Sequence, residues 1–195
     1  MATTYSRVGL RDVVFAKLTA DTSSSLTYAA LEAETVDAID VQISHNNTDP
    51  NVLYADDIED DVLYEDTELN VTLEVKDLPL SLQADLLGMT LGTKSEVIEV
   101  AGATIPYYAM GFKSEKRDGN DRYVWLLKGR AHPPEDTYHT KERDTTRQND
   151  KITMTFIKRT NDGAFKYILD SEDIPELKDP DSFFTSVYSG TLTDL

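Results

Sequence analysis

The sequence contains no cysteine and only three histidines, so disulfides, thiolate nucleophiles and sulfur-ligated metals are excluded and stability must come from packing and association. Bases are also scarce: 19 Lys and Arg stand against 36 Asp and Glu, a formal net charge of -17. Tight nucleic-acid binding draws its affinity largely from Lys and Arg displacing phosphate counterions, and a chain this acidic is ill suited to it. No apolar run approaches the length of a bilayer span, so no transmembrane helix and no membrane partner are expected. Residues 1–7 lack a basic stretch followed by an apolar one, which points to folding in the cytoplasm rather than secretion. The glycosylation patterns at Asn46-Asn47-Thr48 and Asn70-Val71-Thr72 are on that ground chance matches.

What is present suits one domain with extensions. The chain has 195 residues, 39% apolar and 28% charged, enough for one well-buried core. The charge is uneven. Residues 1–70 hold 15 acids against Arg7, Arg11 and Lys17, whereas residues 111–160 hold 12 bases against 8 acids. Opposite regions of this kind let one copy meet another head to tail, with charge guiding the register; the simpler alternative is that acidity only maintains solubility.

The most informative stretch is 106–169, where three long amphipathic strand candidates (106–115, 121–131, 151–159), followed by a shorter one at 164–170, are punctuated by Asp118-Gly119-Asn120 and Asn161-Asp162-Gly163. Asn, Asp and Gly tolerate the positive φ of tight hairpins, so both turns are expected to join antiparallel neighbours. Further strands are expected at 11–18, 37–44, 69–75 and 94–100, with Ile39, Val41 and Ile43 on one face of the second. Residues 19–33 are small and polar and predict a loop. A helix is expected over 77–88, with Pro79 in its first turn, an apolar stripe of Leu78, Leu82, Leu86 and Leu87, and Gly88 as its stop.

The fold class that follows is mainly β, a sandwich or partial barrel of antiparallel hairpins with one flanking helix and long arms. Core strands fall at about 11–44 and 69–170, an arm at about 45–68, an exposed loop at about 132–150 and a C-terminal extension at about 173–195. The arm is long, polar and acidic, a connection of the kind that is functional or disordered in compact domains. Its two apolar islands, Val52-Leu53-Tyr54 and Val62-Leu63-Tyr64, predict short pairing strands. In the extension, Asp179-Pro180 would cap a short helix presenting Phe183, Phe184, Val187 and Tyr188.

No constellation for chemistry emerges. The acidic run from Asp56 to Asp61 has contiguous acids and no glycine, unlike a Ca²⁺ loop with ligands at alternate positions. His132 and His139 sit in a polar loop without zinc-ligand spacing, and His45 stands alone. There is no G-x-S-x-G elbow. Gly88 to Lys94 has the wrong spacing for a phosphate loop and follows a helix instead of preceding one. The aromatics Tyr107, Tyr108, Phe112, Tyr123, Trp125, Phe156, Phe165 and Tyr167 suit core packing better than base stacking. Neither an enzyme nor a cofactor is expected; the alternative is a carbohydrate- or Ca²⁺-binding β module.

An ordered set of segments resembles the major tail, or tail-tube, protein of long-tailed phages and prophages of Gram-positive bacteria. These are residues 8–17 (VGLRDVVFAK), 53–57 (LYADD), 80–88 (LSLQADLLG), 108–112 (YAMGF), 122–129 (RYVWLLKG), 133–140 (PPEDTYHT) and 156–159 (FIKR), with Asp162-Gly163 after them. The resemblance spans roughly residues 8–172. It implies a structural virion protein whose copies form hexameric rings stacked into a tube that conducts DNA without binding it specifically. The implied partners are further copies of the chain and the tail-terminator, tape-measure and distal tail proteins. The implied location is the virion tail, after assembly in the host cytoplasm. On this reading Leu53, Tyr54, Asp56, Asp57, Asp60 and Asp61 belong to an inter-ring arm, and Tyr108, Phe112, Tyr123 and Trp125 to a hairpin of the tube wall.

Overall fold

In the computed structural model the residues described are 6–32, 36–47, 51–55, 58–63, 66–134, 149–173 and 184–187. Among these residues twelve strands and one α-helix follow in chain order: β1 (Arg11–Thr22), β2 (Ser25–Leu31), β3 (Ala38–Asn47), β4 (Asn51–Ala55), β5 (Ile58–Leu63), β6 (Asp66–Val75), α1 (Leu80–Leu87), β7 (Thr90–Leu91), β8 (Val97–Ile98), β9 (Tyr108–Glu115), β10 (Asp121–Ala131), β11 (Asp150–Ile157) and β12 (Lys166–Asp170). One antiparallel sheet runs in the order β2-β1-β9-β10-β11-β6-β3, and β12 joins it on β10. An isolated bridge between Val13 of β1 and Val36, just before β3, draws the sheet's far strands together. The sheet is thereby rolled into a partial barrel, as the mainly β expectation required.

Its inner face holds the main core: Phe15, Leu69, Val71, Leu73, Met110, Leu126, Met154 and Phe156 are buried there, with Leu82, Leu86 and Leu87 of α1 closing it. A second apolar cluster lies on the outside, built on Ala16, Ala109, Tyr123, Trp125 and Leu127 and covered by Phe184 and Val187. Consequently β9 and β10 are not the amphipathic strands that their spacing suggested. Their near-continuous apolar runs are buried on both faces, as such runs are when a sheet is covered on both sides. β11 does alternate, with only Ile152, Met154 and Phe156 fully turned inward.

Three expectations are corrected. The loop expected at 19–33 is strand over 19–22 and 25–31: β1 extends to Thr22 and turns into β2, because the Tyr28 hydroxyl donates to the Leu127 carbonyl at 2.9 Å and Tyr28 and Leu31 pack on the outer cluster. The strand over 94–100 shrinks to β8, two residues paired with β7 beyond the core. The Asn161-Asp162-Gly163 turn does not close a hairpin. β11 and β12 both pair with β10, at Gly129–Ala131 and Arg122–Leu126 respectively, so the turn is an excursion between two segments lying along one edge of the same strand.

Asp118-Gly119-Asn120 behaves as expected. Lys116 and Asn120 are joined by a backbone hydrogen bond, Gly119 has φ 86 and the Asp118 carboxylate accepts from Asn120, which makes a tight loop between β9 and β10. The helix starts later than expected, at Leu80 with Pro79 at its N-cap, and stops before Gly88. Ile39 leaves the inward set because the β3–β6 register shifts between Ala38 and Asp40, and it is 50% exposed. Residues 135–148, and the short helix expected after Asp179-Pro180, lie outside the described residues apart from Phe184 and Val187.

Candidate functional site

β3 and β6 pair from Ala38↔Val75 to Asn47↔Asp66, and pairing resumes between β4 and β5 from Asn51↔Leu63 to Ala55↔Ile58. The two ladders keep the same register to within one residue, so the described strands β3 to β6 follow one hairpin register. Its inner half belongs to the sheet through the β6–β11 ladder. Its outer half is a separate two-stranded sheet paired only with itself among the described residues. The two apolar islands of the arm are thus pairing strands, with Val52 opposite Val62. Within the ribbon Leu53 faces Asp61, Tyr54 faces Glu59, and Asp60 falls in the register shift between them. Asp56 and Asp57 lie outside the described residues.

The other four residues singled out by the sequence divide between the two cores. Tyr108 and Phe112 are buried on the inner face of β9, whereas Tyr123 and Trp125 are buried on the outer face of β10. Trp125 is stacked on Phe184 at 5.2 Å between ring centroids, and Tyr123 is tilted against the same ring at 5.5 Å. The Lys113 ammonium lies 5.2 Å from the centre of the Phe184 ring and pairs with Asp12 at 3.0 Å. Asp12 itself has φ 54, at the bulge where the β1–β9 register shifts. The aromatics therefore pack within the subunit. Since β9 is flanked by β1 and β10, and β10 by β9 and β11 with β12, the hairpin is the spine of the sheet and not one of its edges.

Where the outer face is not apolar it is polar in rows. Across β3, β6 and β11 the rows read Asp40–Glu74–Lys151, Gln42–Thr72–Thr153 and Ser44–Asn70–Thr155. Thr155 donates to the Asn70 side chain at 3.0 Å and shares a 2.8 Å hydrogen bond with His132, while Asn46 donates to Glu68 at 2.6 Å. Alternation places these residues there, because their neighbours Val71, Leu73, Ile152 and Met154 take the inward positions.

Two ionic clamps, neither foreseen from the sequence, fix the loops around β10. The Asp21 carboxylate at the end of β1 accepts from Lys128 at 2.6 Å and from the Thr160 and Asn161 amides at 2.8 and 3.0 Å. Burial pushes this carboxyl upward, but the hydrogen bonds from Lys128 and the amides outweigh it and hold the pKa at about 2. Close by, the fully buried Arg159 is neutralised by Asp162 and reaches the Tyr28 and Tyr167 hydroxyls. At the opposite end of β10, Asp170 takes both Arg122 and Lys116; the Arg122 hydrogen bonds are the main cause that lowers its pKa to about 2, against a smaller opposing effect of burial. Asp21 and Lys128 are 107 residues apart and Asp170 and Arg122 48, and neither acid carries a local signal of its partner. Among the described residues no group of three or more His, Asp or Glu is placed to hold a metal ion.

A sheet whose central hairpin is sealed on both faces, and whose longest hairpin leaves the body to pair with itself, defines a β subunit of a structural assembly. Comparison with known families bears this out: the description of the phage tail tube protein family matches residues 28–190, and the chain belongs to that family. It is a structural protein of the virion tail that self-assembles into a tube with other tail components, not an enzyme. No curated protein matches the chain.

Proposed function

We propose that copies of the subunit close into rings, six to a ring as the resemblance implies, and that the β4–β5 ribbon bridges one ring to the next in the tube that delivers DNA. The ribbon carries this reading. An isolated two-stranded hairpin is marginal in water and needs a surface to pack against, and among the described residues the chain's own sheet supplies it no further strand. The β9–β10 hairpin would form the body of the tube wall, leaving ring closure to β2 and β3, which end the strand order. The polar rows of β3, β6 and β11 suit a hydrated lumen, and the chain's net charge of -17 disfavours adhesion of phosphates, so that DNA slides without specific contact. Tail-terminator and distal tail proteins would close the two ends and a tape-measure protein would occupy the lumen during assembly in the host cytoplasm.

Deleting residues 50–66 tests the proposal. The core should still fold, with its thermal transition retained, while negative-stain microscopy shows no tubes. Normal tubes from the deleted protein would remove the ribbon from the role of bridge.

A further inference from the structure

We infer that Arg130, on the polar face shared by β3, β6, β11 and the end of β10, touches the phosphates of DNA as it passes along the tube. The inference rests on the reading of that face as the wall of the lumen and names the group that meets the DNA there.

Register places the side chain. Arg130 stands between Gly129 and Ala131 at the end of β10, where that strand pairs with β11. A Cβ on Gly129 would meet the Phe156 ring of the main core, and Ala131 is buried in the same core, so alternation turns Arg130 to the opposite face. Its register partner is Thr155, and the row Ser44–Asn70–Thr155 therefore runs on to Arg130 across four strands. The other three members of the row are uncharged.

The surroundings leave the charge open. Arg130 is exposed, and its guanidinium carbon lies 3.9 Å from the centre of the Tyr107 ring. That ring is held in place through the Tyr107 carbonyl, which accepts from the Leu18 amide at 2.8 Å. Among the described residues Arg130 forms no hydrogen bond and no ion pair, whereas the neighbouring Lys128 is tied to Asp21 at 2.6 Å. The carboxylates of the same face, Asp40, Glu68 and Glu74, stand on β3 and β6, with β11 between them and β10. Glu68 accepts from Asn46 at 2.6 Å, and Glu74 from Asn149 at 2.8 Å with Lys151 3.8 Å away.

A guanidinium with one face on an aromatic ring keeps its N–H edge free, and that planar fork matches two oxygens of a phosphate. The stack restrains the long side chain before the ligand arrives, which lowers the cost of the contact. Such a contact reads charge and not base sequence, so it forms and breaks at each phosphate that passes. In a closed ring of copies it becomes a belt of cations on an otherwise acidic or neutral wall, and it slows the passage of DNA.

The test compares DNA ejection from virions built with the native full-length chain, with Arg130→Gln and with Arg130→Lys. At low salt Arg130→Gln should eject at least about twofold faster than the native protein and Arg130→Lys close to it, and the difference should vanish at high salt, where a phosphate contact is screened. Tube length and the thermal transition should not change. Equal rates for the native protein and Arg130→Gln at low salt, or a difference that persists at high salt, would overturn the inference. Short or missing tubes from Arg130→Gln with the thermal transition intact would assign the guanidinium to a protein partner in assembly, and would overturn it as well. Because the chain has no cysteine of its own, Arg130→Cys tests the lumen reading separately. In empty tubes a small maleimide should label it, and a maleimide fixed to beads too large to enter should not. Labelling by the beads, or by neither reagent, would take the face out of the lumen; labelling by the small reagent alone with unaltered ejection would sink the phosphate contact and leave the lumen reading standing.

Discussion

Gly111 of β9 lies against the indole of Trp125 on β10, its register partner: a Cβ on Gly111 would sit 2.8 Å from the ring. The glycine leaves the space that lets the chain's single tryptophan lie flat on the sheet and stack on Phe184. Because the other side of the same hairpin is packed against the main core, the ring has nowhere to retreat.

Gly111→Ala is therefore expected to destabilise the fold by about 1–3 kcal/mol through overpacking. Urea unfolding followed by the fluorescence of Trp125 measures this directly. An unchanged midpoint would mean that the ring is free to shift and that the outer cluster is loosely packed.

Phe184→Ala removes the ring that covers Trp125 and Tyr123 and that Lys113 faces. The expected result is a red shift of tryptophan emission and faster proteolysis near the C-terminus. The main thermal transition should fall by only a few degrees, since the inner core does not use Phe184. An emission maximum unchanged from that of the native protein would show that another group covers the indole.

Asp21 and Asp170 have folded-state pKa values of about 2, below their ordinary 3.8. A depressed carboxyl pKa contributes stability that is fully present above the unfolded value and is lost as pH falls toward the folded one. Stability should accordingly hold down to about pH 4 and decline between pH 4 and pH 2, by on the order of 2 kcal/mol for each group. Asp21→Asn should lower stability at pH 7 and flatten that acid limb when unfolding is followed across the range. An acid limb of the same depth in the variant would assign the dependence to other carboxylates.

Thr72 and Thr153, neighbours on the polar outer face, provide a test of the lumen. Replacing both by Lys should leave tube length unchanged and slow DNA ejection from assembled virions, whereas replacement by Glu should leave ejection near its native rate. Equal rates for the two variants would place this face elsewhere.

Particular elements show what was legible from residues alone. Strict alternation over 69–75 and the Asp118-Gly119-Asn120 turn announced β6 and the β9–β10 hairpin, because period-two burial and positive φ are local demands. The islands at Val52 and Val62 announced the ribbon for the same reason. β2 was lost in a polar stretch because Tyr28 and Leu31 pack on a surface that exists only after β1, β9 and β10 have assembled. Asn161-Asp162-Gly163 carries the residues of a hairpin turn, yet its strands share a third strand as partner, and turn chemistry does not encode the neighbour.

The sequence by itself determined most of the long strands, the helix over α1, the acidic arm and, through its ordered segments, the family. Those follow from periodicities and turns within a few residues of each other. Only the tertiary structure decided that the sheet rolls back on itself, that β9 and β10 are buried on both faces, and that β11 and β12 share one edge of β10. Each of these depends on contacts between segments far apart in the chain, where the free energy of burial and pairing is settled by what the rest of the molecule brings alongside.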